Sequence, residues 1–428
     1  MIKPSRTQMS AMAENLEPHV SFSTWTNGRV IRAVGTNAGA PCLPFQGWRR
    51  FKEAFAPELV EQAVRETRQD LGEELKGLLD PFGGSGTSAL AAQFLGVKPT
   101  TIEVNPFLAD LIEAKVTSYD LTKATARLGE VIDAVAKSEP ASDIFADAPR
   151  TFVEPGVNGR FIFSKKVAQR LASYRNSIDK LPENNIRRLF SVILASVAIP
   201  VSNVVVSGKG RRYRRGAAAN LGDPNQVDRL FLEGILAALH DLRRYENRKC
   251  RSYVELVDVA VFSPPYPNSF DYTDVYNVEL WLLGYLTGSA SNRALREATL
   301  RSHVQIKRDM SVGESDSTIL AKSVAALREN RGRLWNADIP EMIEAYFDDM
   351  RSVLRSVRLR LREAGRAYMV VGDSRYAGVD IPVAQILEQE APALGYTVVR
   401  TTPFRSMRAS PQQGGKPELA ETLLVLRA

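Results

Sequence analysis

The sequence predicts an α/β protein built on a doubly wound, mostly parallel sheet that carries a helical insertion. Three observations lead there. Leu75 to Leu79 is a short apolar run ending at Asp80; a glycine-rich turn, Pro81-Phe-Gly-Gly-Ser-Gly-Thr, follows, then a helical stretch from Ser88 to Leu95 stopped by Gly96. A second strand, Thr100-Thr-Ile-Glu-Val, comes next, with Glu103 near its end. Strand, turn, helix and strand in that order belong to a parallel sheet. From about Asp120 to Lys249 the alternation gives way to mainly helical, basic sequence, and strand character resumes at Val254-Glu-Leu-Val-Asp-Val-Ala-Val-Phe.

At 428 residues the chain exceeds the usual size of a single core, so one domain with a large insertion, or two domains, is expected. Residues 1–44 read as a polar arm with short extended pieces, 45–119 and 250–428 as the ligand-binding catalytic domain, and 120–249 as the insertion. Helical periodicity begins around Trp48-Arg-Arg-Phe-Lys-Glu-Ala-Phe and continues through Pro57-Glu-Leu-Val, where proline suits a first helical turn. After the third strand comes a polar segment from Thr287 to Asn336, then an amphipathic helix from Pro340 to about Glu363. A strand over Ala367–Val371, a helix over Val383–Glu390 and strands over Thr397–Thr401 and Thr422–Leu426 complete the pattern. No internal repeat is evident.

Composition narrows the function classes. With 44% hydrophobic and 25% charged residues the chain can bury a sizeable core. Its 56 Lys and Arg against 49 Asp and Glu give a net charge of +7, which suits a polyanionic partner without proving one. Two cysteines, Cys42 and Cys250, and three scattered histidines make neither a disulfide framework nor a metal centre, so no metal is expected. The N-terminal stretch lacks the apolar core of a signal peptide, and the longest apolar candidate, Leu189 to Val206, holds Ser191, Ser196, Pro200, Ser202 and Asn203. A soluble, cytoplasmic protein with no membrane partner is the expectation.

Gly84-Ser-Gly86-Thr-Ser-Ala89 satisfies the dinucleotide pattern G-x-G-x-x-G/A, and Glu103 stands at the right distance for a ribose contact. Glycines let the backbone approach a ligand closely, and a carboxylate accepts hydrogen bonds from ribose hydroxyls. No lysine precedes Thr87 or Ser88, which excludes a P-loop. On this segment alone NAD and S-adenosylmethionine both remain open, as does a tight turn with no ligand.

The wider run, Asp80-Pro81-Phe82-Gly83-Gly84-Ser85-Gly86-Thr87, closely resembles the D-P-F-x-G-S-G-T motif of amino-group DNA methyltransferases. That resemblance implies a cofactor site for S-adenosyl-L-methionine, with Asp80, Gly84 and Gly86 around the methionine and ribose end and Glu103 holding the ribose. It also implies a Rossmann-like class I methyltransferase fold. Trp48 and the residues after it look like the family segment that packs on the cofactor's methionine end.

Ser263-Pro264-Pro265-Tyr266 follows directly on the apolar strand ending at Phe262, at a strand's carboxyl end, where open α/β sheets bind ligands. By itself such a tetrapeptide is a proline turn; downstream of the cofactor motif it looks like the catalytic S-P-P-Y of the same family, and that context removes the NAD reading. The chemistry accounts for the residue types. The amino nitrogen of a nucleobase is a poor nucleophile because its lone pair is delocalised into the ring. Acceptors from Ser263 and the Pro264 carbonyl would favour a pyramidal nitrogen aimed at the methyl group, and Tyr266 offers a face for an extruded base. Direct in-line transfer then depends mainly on positioning. Asn268-Ser-Phe-Asp-Tyr-Thr-Asp-Val-Tyr, Glu279-Leu-Trp and Ala367-Tyr-Met-Val-Val-Gly-Asp-Ser are similar to later family segments.

The chain departs from the pattern in two places. The cofactor motif precedes the catalytic one, the reverse of many relatives, which implies a permuted arrangement with the insertion between them. No acidic strand end between Leu111 and Val254 stands out to meet the cofactor's adenine. Cys42, after Pro41, resembles the Pro-Cys nucleophile of cytosine C5 enzymes, but it lies in the polar arm and reads as incidental; zinc deaminase motifs are absent.

Lys209, Arg211, Arg212, Tyr213, Arg214 and Arg215 lie in a glycine-flanked stretch without acids, expected to be a mobile loop contacting phosphates, with Tyr213 available for stacking. A solvated basic loop is the bland alternative. The combined expectation is a site-specific DNA (cytosine-N4)-methyltransferase acting on double-stranded DNA in restriction–modification or phage defence, with a cognate restriction endonuclease or defence-system proteins as partners. Serine in the first position of the tetrapeptide is, by the resemblance, commoner in cytosine-N4 enzymes. The rivals are adenine-N6 methylation, RNA methylation and a non-catalytic DNA-binding protein.

Overall fold

A computed structural model describes residues 21–31, 34–37, 39–49, 54–138, 144–207, 210–214, 222–246, 248, 256–408 and 418–428. The chain starts with a short helix α1 (Phe22–Thr26) and α2 (Pro57–Leu71), then alternates β1 (Gly77–Asp80), α3 (Thr87–Phe94), β2 (Lys98–Thr101) and α4 (Pro106–Val116). The insertion holds α5 (Leu121–Lys137), α6 (Lys165–Asp179), α7 (Asn184–Ala198), a hairpin of β3 (Val204–Ser207) and β4 (Gly210–Tyr213), and α8 (Pro224–Arg244). The sheet resumes with β5 (Val257–Phe262), followed by α9 (Tyr272–Val275), α10 (Asn277–Leu282), α11 (Ser289–Glu297), α12 (Thr318–Glu329) and α13 (Ile339–Arg360). Then come β6 (Leu361–Gly372), a small hairpin of β7 (Ser374–Tyr376) and β8 (Val379–Ile381), α14 (Val383–Glu390), β9 (Thr397–Arg408) and β10 (Glu418–Arg427).

The six-stranded sheet has the order β2-β1-β5-β6-β10-β9. The pairs β1–β2, β1–β5 and β5–β6 are parallel, and β10 lies antiparallel between β6 and β9. This mixed α/β architecture, with its mostly parallel central sheet, is consistent with a class I methyltransferase fold. Alternation along each strand sends side chains to two separate cores. Leu78, Val259, Val261, Tyr368, Val370, Leu423 and Val425 join one cluster with α2 and α3. Leu79, Ala260, Phe262, Ala367, Met369, Val371, Leu424 and Leu426 join another with α12, α13 and α14. Helices thus cover both faces, which is why β5 is buried at every position.

Winding reverses at one seam. From β1 the chain moves outward to the edge strand β2; it returns on the opposite side of β1 as β5 and proceeds to β6. The carboxyl ends of β1 and β5 therefore flank a topological switch point, where a crevice opens because the following connections diverge. The insertion separates these two strands in sequence but packs into the first core: Phe152 meets Trp281 at 5.9 Å, and Phe190 and Phe231 are fully buried there.

Several boundaries differ from the sequence expectation. The helix anticipated from Trp48 starts at Pro57, with Ala56 extended, because proline disfavours helical geometry in the residue before it. The polar segment 287–336 contains α11 and α12; Leu320, Val324 and Leu327 form a buried helical stripe. β2 ends at Thr101, so Glu103 sits in the connection beyond the strand rather than in it. The described part of the arm is docked rather than extended: Trp25 stacks on Phe94 at 4.7 Å and donates from Nε1 to the Pro44 carbonyl (3.1 Å). Within the basic stretch expected to be a mobile loop, Gly210–Tyr213 form the second strand of a hairpin, with Val204 paired to Tyr213 and Val206 to Arg211. The β-branched run Val204-Val-Val supplies its partner strand.

Candidate active site

The glycine turn is anchored at both ends. Asp80, only 1% exposed, closes β1; its Oδ1 accepts from the Phe82 amide (2.9 Å) and its Oδ2 from the Ser88 hydroxyl in the first turn of α3. Gly84 adopts a left-handed φ of 52°, and its N–H donates to Glu103 Oε2 (2.7 Å). Glu103 Oε1 accepts from the Asn105 amide (2.8 Å), so this one carboxylate clamps the turn from the β2–α4 connection. Each of its oxygens keeps a further lone pair for a ligand hydroxyl. Gly83 and Gly86 serve packing: a Cβ on Gly83 would lie 2.7 Å from Ile112 Cδ1, and on Gly86 (φ 81°) 3.1 Å from Ile112 Cγ1. These two glycines let α4 press against the turn.

Burial, with the charge of Glu103 contributing, pushes the Asp80 carboxyl up to about 7, and burial raises Glu103 as well. A cationic ligand beside them would favour the ionised form of both. Behind the turn, Lys115 is fully buried; its Nζ donates to the Ser85 carbonyl (2.7 Å), and burial pushes the amine down to about 7. Gln46 donates from Nε2 to Thr87 Oγ1 (3.3 Å). Sequence reasoning missed both braces. For Lys115 a signal existed: it continues the buried stripe Leu108, Leu111, Ile112 along α4, a core-facing position for a lysine.

The second turn leaves β5. In the register Leu79 pairs with Ala260, which sets the end of β1 beside the end of β5. Ser263 donates from Oγ to the Val370 carbonyl on β6 (3.0 Å), which occupies its proton and leaves the oxygen lone pairs as acceptors. Half-buried Tyr266 donates from its hydroxyl to Glu421 Oε1 on β10 (2.8 Å); burial, with Glu421 beside it, holds that phenol well above its ordinary range. The Tyr376 hydroxyl donates to the Pro267 carbonyl (3.0 Å), fixing the turn from the other side. The rings of Phe82 and Phe262 approach to 6.0 Å and join the two turns.

Both turns line one cavity of about 940 Å³. Of the residues singled out in the sequence, Asp80, Pro81, Phe82, Gly84, Ser85, Thr87 and Glu103 line it, as do all four of Ser263 to Tyr266. Gly86 does not, being turned toward Ile112, and neither does Trp48, whose Nε1 donates to Asp241 Oδ2 (2.9 Å) within the core. Glu421, which sequence reasoning also missed, lines it too. Ile102 and Val104, at the mouth beside Glu103, expose 55% and 49% of their surfaces, an apolar platform beyond the sheet's edge.

The hairpin stands apart from this lining. Arg211 lies over the Phe152 ring at 5.8 Å, and Tyr213 is half-buried against the first core rather than presented for stacking. Arg214 donates to the Ser202 carbonyl (3.1 Å) at the end of α7, a structural bond. Arg212 is exposed. Lys209 and Arg215 lie outside the described residues.

No family model matches the chain. Over 462 aligned positions it is 24% identical to the Type II methyltransferase M.BsoBI of Geobacillus stearothermophilus, covering 93% of this chain and 87% of that protein. It is 25% identical to the Type II methyltransferase M.AvaI of Nostoc sp., covering 90% and 86%. Its homologues are type II methyltransferases. A third, M.MjaII of Methanocaldococcus jannaschii, aligns at 31% identity over 77 residues, 18% of this chain. With the first two methyltransferases the likeness spans nearly the whole chain and is not confined to the two turns.

Proposed function

We propose that this chain is an S-adenosylmethionine-dependent DNA methyltransferase that methylates the exocyclic N4 amine of a flipped-out cytosine, on a Rossmann-like sheet, within a restriction–modification system. The observation that carries this reading is the meeting of the glycine turn and the Ser263–Tyr266 turn at the switch point, in one cavity of about 940 Å³. Its size suits a nucleoside cofactor with part of a second ligand.

The residues present fit the cofactor. Glu103 has acceptor capacity for two ribose hydroxyls, Gly84 allows close backbone approach, and Ile102 and Val104 offer apolar surface to a flat ring. The carboxyl groups of Asp80 and Glu103 in the cavity lining favour a cationic ligand over the anionic pyrophosphate of NAD. When bound, S-adenosylmethionine supplies an electrophilic methyl group on a sulfonium, whose sulfur keeps the C–S electron pair as the bond breaks. Ser263, its hydroxyl donating to the Val370 carbonyl, accepts from the base amino group, and with the Pro264 carbonyl draws the nitrogen toward pyramidal geometry. The nitrogen lone pair forms the new N–C bond, and the nitrogen releases one proton to solvent water. Tyr266, its ring angle set by Glu421, provides the stacking face. Cys42, exposed and outside the cavity lining, is not placed to act as a C5-type nucleophile.

Incubating the protein with labelled cofactor and double-stranded DNA, then digesting to nucleosides for mass spectrometry, should yield N4-methylcytosine. N6-methyladenine as sole product would overturn the base assignment and spare the mechanism; C5-methylcytosine would overturn both. A requirement for RNA would shift the substrate class. Mapping the modified positions gives the recognition site.

DNA contact by the hairpin is the second part of the proposal and rests on exposed Arg212. Arg212→Ala should weaken DNA binding and reduce the salt slope by about one unit, the effect of one phosphate contact. Arg214→Ala, by contrast, should lower the thermal midpoint, because its guanidinium bonds backbone carbonyls. An unchanged slope for Arg212→Ala would make the hairpin a scaffold element.

A further inference from the structure

His303 is a buried titratable group in the cavity wall that the reaction above leaves unused. It is 2% exposed, it lines the same cavity as the two turns, and neither ring nitrogen makes a hydrogen bond of ordinary geometry, the Gln305 side chain being the polar group beside it. A buried imidazole without well-formed hydrogen bonds is stabilised when a ligand supplies the partner.

Its placement is deliberate in the physical sense that several bonds define it. Ser269, three residues past the catalytic tetrapeptide and left-handed at φ 57°, is stapled to the segment around His303 on both sides. The Ser269 amide donates to the Ser302 carbonyl (3.0 Å), the Val304 amide donates to Ser269 Oγ (3.3 Å), and Gln305 Nε2 donates to the Ser269 carbonyl (2.6 Å). The imidazole is thereby carried on the catalytic loop's own continuation. Asp271, the nearby acid, is already ion-paired with Arg296 (2.9 Å), and Arg296 and Arg308 both oppose a positive charge on the ring. Burial and those two arginines keep His303 neutral, with its pKa pushed down to about 4. A neutral imidazole carries one N–H donor and one acceptor nitrogen.

The flipped base presents a matching need. Once its amine is engaged by Ser263 and Pro264, the adjacent ring nitrogen, an acceptor, has lost its Watson–Crick partner. We propose that His303 reads the flipped base by donating a hydrogen bond from its imidazole N–H to the ring nitrogen next to the methylated amine (N3 of cytosine). This rests on the base-methylation reading above. It makes His303 a specificity residue: an N–H at that position also rejects a base whose ring carries a proton there, as guanine and thymine do.

The test follows identification of the modified base, so failure of the functional reading is seen first, as absence of any methylated amine. Single-turnover methyl transfer is then measured on duplexes carrying the target cytosine or 3-deazacytosine, which keeps the amine and lacks the ring acceptor. The parent enzyme should be slower on the analogue by about 10-fold or more, the effect of an orphaned buried donor. His303→Phe should be slow on both substrates and lose the difference between them, while binding S-adenosylhomocysteine as the parent does. His303→Gln, which retains a donor, should recover part of the discrimination. A parent rate equal on the two duplexes overturns the proposal without any variant. So does a His303→Phe enzyme that still discriminates as the parent does.

Discussion

Tyr266→Ala is expected to lower the single-turnover rate of methyl transfer by about 10- to 100-fold, the range associated with losing one base–aromatic stack. Affinity for S-adenosylhomocysteine should change little, because the ring belongs to the β5 turn and the proposed cofactor contacts belong to the β1 turn. Tyr266→Phe separates the two jobs of this side chain. It keeps the face but breaks the bond to Glu421 and leaves a buried carboxyl group without that donor, so a loss of about 10-fold is expected. Ser263→Ala removes the acceptor whose proton is tied to Val370 and should cost about 100-fold in rate, as for other groups acting where charge develops. Rapid-quench measurement on the mapped site checks all three. A Tyr266→Ala enzyme as fast as the parent would show that the extruded base rests on another surface.

Glu103→Ala should raise the dissociation constant for S-adenosylhomocysteine by about 100-fold, since hydrogen bonds to a charged acceptor contribute about 1.5–3 kcal/mol each. Part of that loss comes from the turn itself, because Gly84 and Asn105 lose the carboxylate that accepts their N–H groups. Glu103→Gln retains a carbonyl acceptor and should fall between. Gly84→Val places a branched side chain at a left-handed φ of 52° in the cavity wall and should abolish measurable binding. Calorimetry reads the affinity and thermal denaturation the fold. Unaltered affinity in both Glu103→Ala and Gly84→Val would move the cofactor elsewhere.

Much of this was legible in the sequence, for physical reasons specific to each element. β5 announces itself because a strand buried on both faces must be apolar at nearly every position, and the glycine turn because the left-handed φ at Gly84 and Gly86 and the close approach of Ile112 favour glycine. The later strands and α13 showed clear periodicity. What stayed hidden depends on contacts between distant parts of the chain. Tyr266 and Glu421 are 155 residues apart, and no local pattern links them, although an acid at the head of the apolar run Thr422–Leu426 was a hint. His303 lay in a stretch that looked merely polar. Trp48 was assigned to the cofactor by resemblance, whereas its indole is taken up by Asp241, on a helix 193 residues away. The strand over Gly210–Tyr213 was hidden within the basic stretch because its pairing partner, Val204–Val206, lies outside the glycine- and arginine-rich run. The missing acidic strand end also has an explanation: among the described residues no strand lies beyond β2 in the sheet.

The position of β10 has a consequence for how this protein comes into being. It follows every other strand in sequence yet occupies an interior place in the sheet, between β6 and β9, and it carries the carboxyl group that holds Tyr266. A nascent chain can form the β1 turn early, but the seam to β5 must close a long loop, with Gly77 and Asp258 181 residues apart. Even then the tyrosine lacks its bond to Glu421 until β10 has been made and has inserted, so the β5 turn reaches its final geometry only when the last strand is in place.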